Sequence, residues 1–291
     1  MEFFLQAVAN GLVLAGFYAA VSVGVTLVFG VARILNFVHG EFVMLGAYVT
    51  YWLWALGGVD PLLALPLTMA GLFVFGAVLH RAVIARVLHA PHENQILLTF
   101  GLHLVLQNVA LLLWTTDSRS IPVAWATSAL ALGPVTVGLG RLVAGAAGAS
   151  LVGLLFVWLV WTDHGKAMRA VAQNETAARL VGIAPDRMYL LAFAVSAALG
   201  GAAGALSSAI AAITPGMGLG YLIKAFVVVI LGGIGNPLAT IAGALVLGLT
   251  ESFAGAYLPM GGTWAEGVGY LLLLAILALR PQGLAGREVQ G

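Results

Sequence analysis

The polar segment 162–188 carries Lys166, Arg169, Arg179 and Arg187, a third of the twelve basic residues in this 291-residue chain. Read as one helix, Lys166, Arg169, Gln173 and Thr176 recur at steps of three and four and share a face. Ala167, Val171, Ala178 and Val181 lie roughly opposite. Gly182 and then Pro185 close the helix in the order usual for a C-terminus. The chemistry such a helix offers is docking, a positive surface with small residues on which a partner can push. The plainer reading is a solvated loop that anchors orientation by its charge. An anchor needs charge but no ordered helix with a built-in stop, so these residues favour docking.

A second set, Asn36, His39 and Glu41, stands beside Arg33. Ionisable groups near hydrocarbon are costly and point to function by default. The competing reading is structural, with His39 and Glu41 capping backbone groups or pairing with Arg33 at a helix end. Lys224 and Glu251 lie inside apolar runs. Lys224 is expected to snorkel to the membrane interface. Glu251 faces either a pore or the outer interface and has no evident partner.

Catalytic patterns are missing. Gly165-Lys166 is followed by Ala167, and Val160 stands where a P-loop needs its earlier glycine. The glycines around Gly216 and Gly233 do not continue as GxGxxG, and neither HExxH nor G-x-S-x-G occurs. His89 and His92 flank a proline loop and read as a solvated pair rather than as metal ligands. No close pair of carboxylates is expected between spans. No catalytic residue, no metal site and no cofactor held by this chain are therefore expected. With no cysteine there is no disulfide or thiolate chemistry. The net charge of +1 argues against a nucleic-acid partner.

The elements that must position these residues are membrane helices. The chain is 62% hydrophobic and 8% charged, against about 45–50% and about 25% for soluble domains. It would aggregate in water. Apolar runs fall near 5–30, 41–57, 62–80, 94–115, 142–161, 189–213, 219–235, 237–256 and 264–280. A span needs roughly 20 such residues. The expected fold is an all-α polytopic membrane protein, a single domain over 1–291 with about eight to ten transmembrane segments; 219–235 is the run short enough to be a half-helix. Basic residues gather in cytoplasmic loops. That places 162–188 inside, with Arg33, Arg81, Arg86, Arg280 and Arg287, and puts the N-terminus outside and the C-terminus inside. Met1 to Asn10 lacks a positive n-region and cleavage site, so the first run is read as a retained span. Gly200 to Gly204 offers a small-xxx-small face for close helix packing, a pattern that so glycine-rich a chain also makes by chance.

Two stretches interrupt apolar sequence, Phe29 to Glu41 and Leu231-Gly232-Gly233-Ile234-Gly235-Asn236-Pro237. Freed backbone groups at membrane depth must be buried in protein or line a wet cavity. Paired interruptions in two halves are the pattern of transporters with internal repeats; ordinary surface loops are the alternative.

Three blocks carry a resemblance. The run Gly165-Lys166-Ala167-Met168-Arg169-Ala170-Val171-Ala172-Gln173-Asn174, followed by Ala177-Ala178-Arg179-Leu180-Val181-Gly182-Ile183, resembles the coupling loop of the branched-chain amino-acid permease family of ABC importers. Arg33 to Phe42 with Met44 to Tyr48, and Phe226 to Asn236, resemble that family too, in its order, over about residues 5–285. The N-terminal block is similar to the first of the two permease subunits such importers carry.

The resemblance implies a permease subunit that moves branched-chain or other hydrophobic amino acids inward through a bacterial or archaeal cytoplasmic membrane. Its implied partners are a second homologous permease, two cytoplasmic ABC ATPases that hold the ATP and Mg, and an extracytoplasmic solute-binding protein. Gly165, Lys166, Arg169, Ala170, Asn174, Ala177, Ala178 and Gly182 would couple to the ATPases. Asn36, His39, Glu41, Gly232, Gly233, Gly235 and Asn236 would lie near the path. The loop departs from the EAA pattern of other ABC importers in that Glu175 stands one residue too early. Urea and short-chain amide importers share these motifs and remain an alternative. So does a stand-alone ion-coupled carrier, which would need a mid-membrane carboxylate such as Glu251.

Overall fold

In hydrocarbon every backbone N–H and C=O must be satisfied within the protein, so each apolar run closes on itself as a helix. The computed structural model describes residues 1–233 and 235–280; Ile234 and residues 281–291, Arg287 among them, lie outside the described residues. The helices are α1 (Glu2–Ala32), α2 (His39–Gly57), α3 (Pro61–Ala82, followed by a 3-10 turn), α4 (His92–Trp114), α5 (Ala124–Thr127), α6 (Leu139–Trp161), α7 (Asp163–Gln173), α8 (Glu175–Leu180), α9 (Pro185–Ser208), α10 (Met217–Gly232), α11 (Pro237–Tyr257) and α12 (Gly261–Leu279). Between α5 and α6 runs a small antiparallel hairpin, β1 (Ala129–Leu132) and β2 (Val135–Gly138). Three starts show their cause in sequence: Pro61, Pro185 and Pro237 sit where a missing N–H costs nothing.

Among the described residues seven helices are long and apolar enough to cross a membrane: α1, α3, α4, α6, α9, α11 and α12. The nine apolar runs thus become seven full spans plus α2 and α10, which start inside the bundle. After α1, residues 33–38 turn back. An extended stretch of that length reaches about 20 Å, enough to return past the last three turns of α1. His39 accordingly sits beside Val21, its Nε2 2.7 Å from the Val21 carbonyl. Residues 209–216 do the same after α9. They bring Gly218, in the first turn of α10, against Gly40, which stands next to the His39 and Phe42 that pack on Gly200, about two turns before α9 ends.

Packing fixes the helix directions. Gly11 of α1 lies against Gly248 and Leu249 of α11, and Gly30 against Gly235, so the two helices are antiparallel. Gly76 of α3 meets Ala194 and Ala197 of α9, and Leu72 meets Gly201, again antiparallel. Contacts of α2 with α9 ascend together, from His39–Ser196 to Val43–Gly204, so these helices run parallel. The result is a unit of long helix, gap, inner helix and two more helices that occurs twice. It runs as α1–α4 and again, with every direction reversed, as α9–α12. The first helix of each unit packs on the third of the other.

The repeat expected from sequence is present, but its second break is not Leu231 to Pro237. That stretch is the tight turn between α10 and α11. The equivalent break is 209–216, where Thr214, Pro215 and Gly216 stop a run that hydropathy alone carries on to 213. The Gly200–Gly204 face does pack closely: a Cβ on Gly204 would overlap the carbonyl oxygen of Val43, and Gly201 faces Gly46.

The posts of the bundle are α1 and α9, whose apolar windows are 72% and 83% buried, while α12, at 6%, lies at the periphery.

Candidate functional site

The polar segment read as one helix is two, α7 and α8, ahead of α9. Thr162 caps α7, its Oγ1 accepting from Gly165 N at 3.1 Å. Asn174 then adopts extended backbone and caps α8, its Oδ1 accepting from Ala177 N at 2.9 Å. A short polar side chain that can bond the backbone two or three residues on competes with helix continuation and wins here. Lys166, Arg169 and Gln173 therefore stay on α7 while Thr176 moves to α8, and no continuous face joins all four.

The inward face differs as well. Gly165, Met168, Val171 and Ala178 are buried and fasten the pair to the bundle. A Cβ on Gly165 would overlap the backbone of Trp158 and Leu159. Ala167 and Ala170 are half-buried, and Val181 points outward. Gly182 has a φ of 86°; its N–H reaches Arg179 O at 3.1 Å, and Ile183 N reaches Ala178 O at 3.0 Å. This paired closure calls for glycine at the left-handed position. Arg179 bonds Glu175 at 2.8 Å and holds that carboxyl below its ordinary range. The outer surface presents Lys166, Arg169 and Ala177 with Leu180 (85% exposed) and Val181 (76%). Two naked aliphatic side chains on a capped, cationic knob make a surface that a protein partner can cover.

The knob sits against the first break. A cavity of about 470 Å³ is lined by Val31, Ala32 and Arg33 on one side and by Gln173, Asn174 and Glu175 on the other. A smaller one is shared by Gly30, Met168, Arg169, Gly235 and Asn236. Gly232, Gly233, Gly235 and Asn236 thus belong to the turn between α10 and α11, beside α7. They lie apart from Asn36, His39 and Glu41, with which sequence reasoning grouped them. Gly232 abuts Ala239, and Asn236 caps α11 through Leu238 N at 3.0 Å.

Asn36, His39 and Glu41 are completely buried at the inner junction of the two broken units. His39 and Glu41 thus lie away from any surface helix end and make no ion pair with Arg33 among the described residues, while Asn36 Oδ1 accepts from Val38 N at 3.1 Å and His39 does satisfy a backbone group. The Val21 carbonyl can only accept, so His39 Nε2 carries the proton and Nδ1 receives the Ser196 hydroxyl at 3.2 Å. Glu41 Oε1 lies 2.8 Å from Nδ1 of His103 on α4. Glu41 Oε2 and Asn36 Nδ2 have no partner among the described residues. Unpaired buried polar atoms are costly, so this junction keeps polar groups where apolar side chains would cost less.

A second polar centre was missed. Lys224 does not snorkel. Its Nζ lies 3.2 Å from Glu251, 2.9 Å from Glu266 and 2.9 Å from the Tyr18 hydroxyl, which itself donates to Glu251. Glu251 therefore has partners, and an ionic group does form between spans. One cue was available. A lysine and a glutamate of opposite sign, each stranded in an apolar run, are both costly alone and stable together.

A family model described as "Branched-chain amino acid transport system / permease component" matches residues 7–277. The high-affinity branched-chain amino acid transport system permease protein LivH of Escherichia coli is 32% identical over 98% of this chain and 96% of that protein. BraD of Pseudomonas aeruginosa, also named a high-affinity branched-chain amino acid transport system permease protein, is 28% identical over the same shares. LivM of Escherichia coli, named a permease protein of such a system too, is 32% identical over 41% of this chain and 28% of its own length. No solved structure matches the chain.

Proposed function

This chain belongs to the branched-chain amino acid transport permease family, and on that premise we propose that it is the membrane-spanning subunit of an ATP-driven importer for branched-chain or other hydrophobic amino acids. The observation that carries this reading is the capped α7–α8 knob, which offers Leu180 and Val181 to a partner directly beside the break between α1 and α2. Similarity to both LivH and LivM supports pairing with a second, homologous permease. The knob is the docking site for a cytoplasmic ABC ATPase, one of two that bind ATP and Mg. A solute-binding protein delivers substrate from the opposite side. The chain hydrolyses nothing itself.

The basic residues of 162–188 put the knob in the cytoplasm. With the knob inside, the helix directions support an N-terminus outside and an end of α12 inside, in a bacterial or archaeal cytoplasmic membrane. ATPase closure pulls on α7 and α8. Through the cavity shared with residues 31–33, that movement rocks one inverted unit against the other about the Gly40–Gly218 junction, in the manner of rigid-body switching. The Asn36, His39 and Glu41 junction would then change its surroundings between the two states.

The test is affinity purification of the detergent-solubilised protein, wild type beside Arg169→Glu with Gly182→Arg, followed by uptake in reconstituted vesicles. A P-loop ATPase that co-purifies with wild type and is lost by the folded double mutant supports the reading. Uptake of urea or a short-chain amide in place of leucine would overturn the substrate. Transport by this chain alone, unaffected by the double mutation, would overturn the ATPase coupling and favour an ion-coupled carrier.

A further inference from the structure

A cavity of about 600 Å³ opens between α1, α10, α11 and α12, within the range of roughly 300–1,000 Å³ typical of small-molecule sites. Its polar wall is Lys224, Glu251, Glu266 and Arg141, and its apolar wall includes Phe17, Ile210 and Met217. The two carboxylates are not equivalent. Glu251 is 6% exposed and held by both Tyr18 and Lys224, whereas Glu266 is 58% exposed and touches Lys224 only from the open side. A glutamate so exposed near the start of a span is costly against hydrocarbon and favours water, the membrane interface or protein. The wall around it is therefore wetted, or covered by the paired permease.

Two cations and two carboxylates around one cavity leave no net charge for a simple ion to neutralise. An anion entering would meet Glu251 and Glu266, and a cation would meet Lys224 and Arg141. A zwitterion matches both signs at once. We infer that this cavity is a transient binding site for an amino acid in transit, in which the substrate inserts into the Lys224–Glu266 ion pair. Its ammonium takes the place of Lys224 on Glu266. Its carboxylate takes the place of Glu266 on Lys224, with Arg141 as the second cation, and the aliphatic side chain lies on Phe17, Ile210 and Met217. Glu251 and Tyr18 keep Lys224 in position throughout. This site rests on the amino-acid import reading and adds to it a location and a recognition chemistry.

The test uses the assembled transporter in vesicles and a photoactivatable diazirine analogue of leucine, with labelled residues identified by mass spectrometry. The expected labels fall on Phe17, Ile210 or Met217. Leucine competes for them, while 4-methylpentanoate, lacking the ammonium, and isopentylamine, lacking the carboxylate, do not. Glu266→Gln, in a complex shown by size-exclusion chromatography to stay assembled, should lower labelling about tenfold through loss of a charge-assisted bond. Label confined to other places such as the Glu41–His103 junction, competition by both half-analogues, or an unaffected Glu266→Gln would overturn the site while leucine uptake leaves the import reading standing. A wild-type complex that takes up no amino acid would overturn that reading, and the site with it.

Discussion

Gly40 in the first turn of α2 and Gly218 in the first turn of α10 meet backbone to backbone, closely enough that a Cβ on Gly40 would overlap the Gly218 carbonyl oxygen. Here the starts of the two inner helices touch, each delivered by a different inverted unit. The junction works only if neither residue carries a side chain. Gly40→Ala should therefore force the units apart and cost about 1–3 kcal/mol, read as a lowered melting temperature of the detergent-solubilised complex with reduced uptake. Gly71→Ala, where a Cβ meets nothing within 4 Å, is the control and should leave both unchanged. Equal tolerance at the two positions would mean that the junction is loose.

Leu180 is 85% exposed and supports no packing within the chain. Leu180→Glu should leave the melting temperature of the isolated protein unaltered. If the knob is a docking surface, the same change should weaken ATPase binding by about 2 kcal/mol, roughly thirtyfold. Binding measured between purified components checks this, and an unchanged affinity would place the docking surface elsewhere.

Lys224 and Glu251 stabilise each other in a region where neither is tolerated alone. Lys224→Met should destabilise the protein by about 3–5 kcal/mol, because it strands a buried carboxylate. Combining it with Glu251→Gln should recover part of that loss. The check is a double-mutant cycle on thermal unfolding, and strictly additive effects would show that the pair is not coupled.

Asn174 terminates α7 and starts α8 with a single side chain. Asn174→Ala should cost about 1 kcal/mol of local helix stability and raise amide exchange in Ala177 to Leu180, while Asn174→Asp retains the cap. The same exchange rates in both variants would show that the kink is imposed by packing alone.

Much of the architecture was legible because it depends on local chemistry. Apolar runs must become helices wherever water is absent, so the spans could be read directly. The polar helical segment 162–188 was recognisable by its charge and its Gly182-to-Pro185 stop, and the first break by polar residues intruding on an apolar run. Where the reading failed, it had carried a local pattern past its range. The helical period stops at Asn174 because that residue prefers to cap, and the glycines near Gly233 form a turn rather than a mid-membrane break.

What the sequence by itself determined is the class of protein, its apolar helices, its polar segment 162–188 and the family to which it belongs, because hydropathy, capping and motif spacing act over a few neighbouring residues. Only the tertiary structure decided that residues 33–38 and 209–216 re-enter the bundle, that Glu41 meets His103, and that Lys224 is held between Glu251, Glu266 and Tyr18. The side-chain pairings among them join groups 27 to 206 residues apart in the chain. In lipid no hydrophobic force selects which helices become neighbours. The choice falls to close glycine contacts and to charges that must find each other, and these depend on the assembled fold.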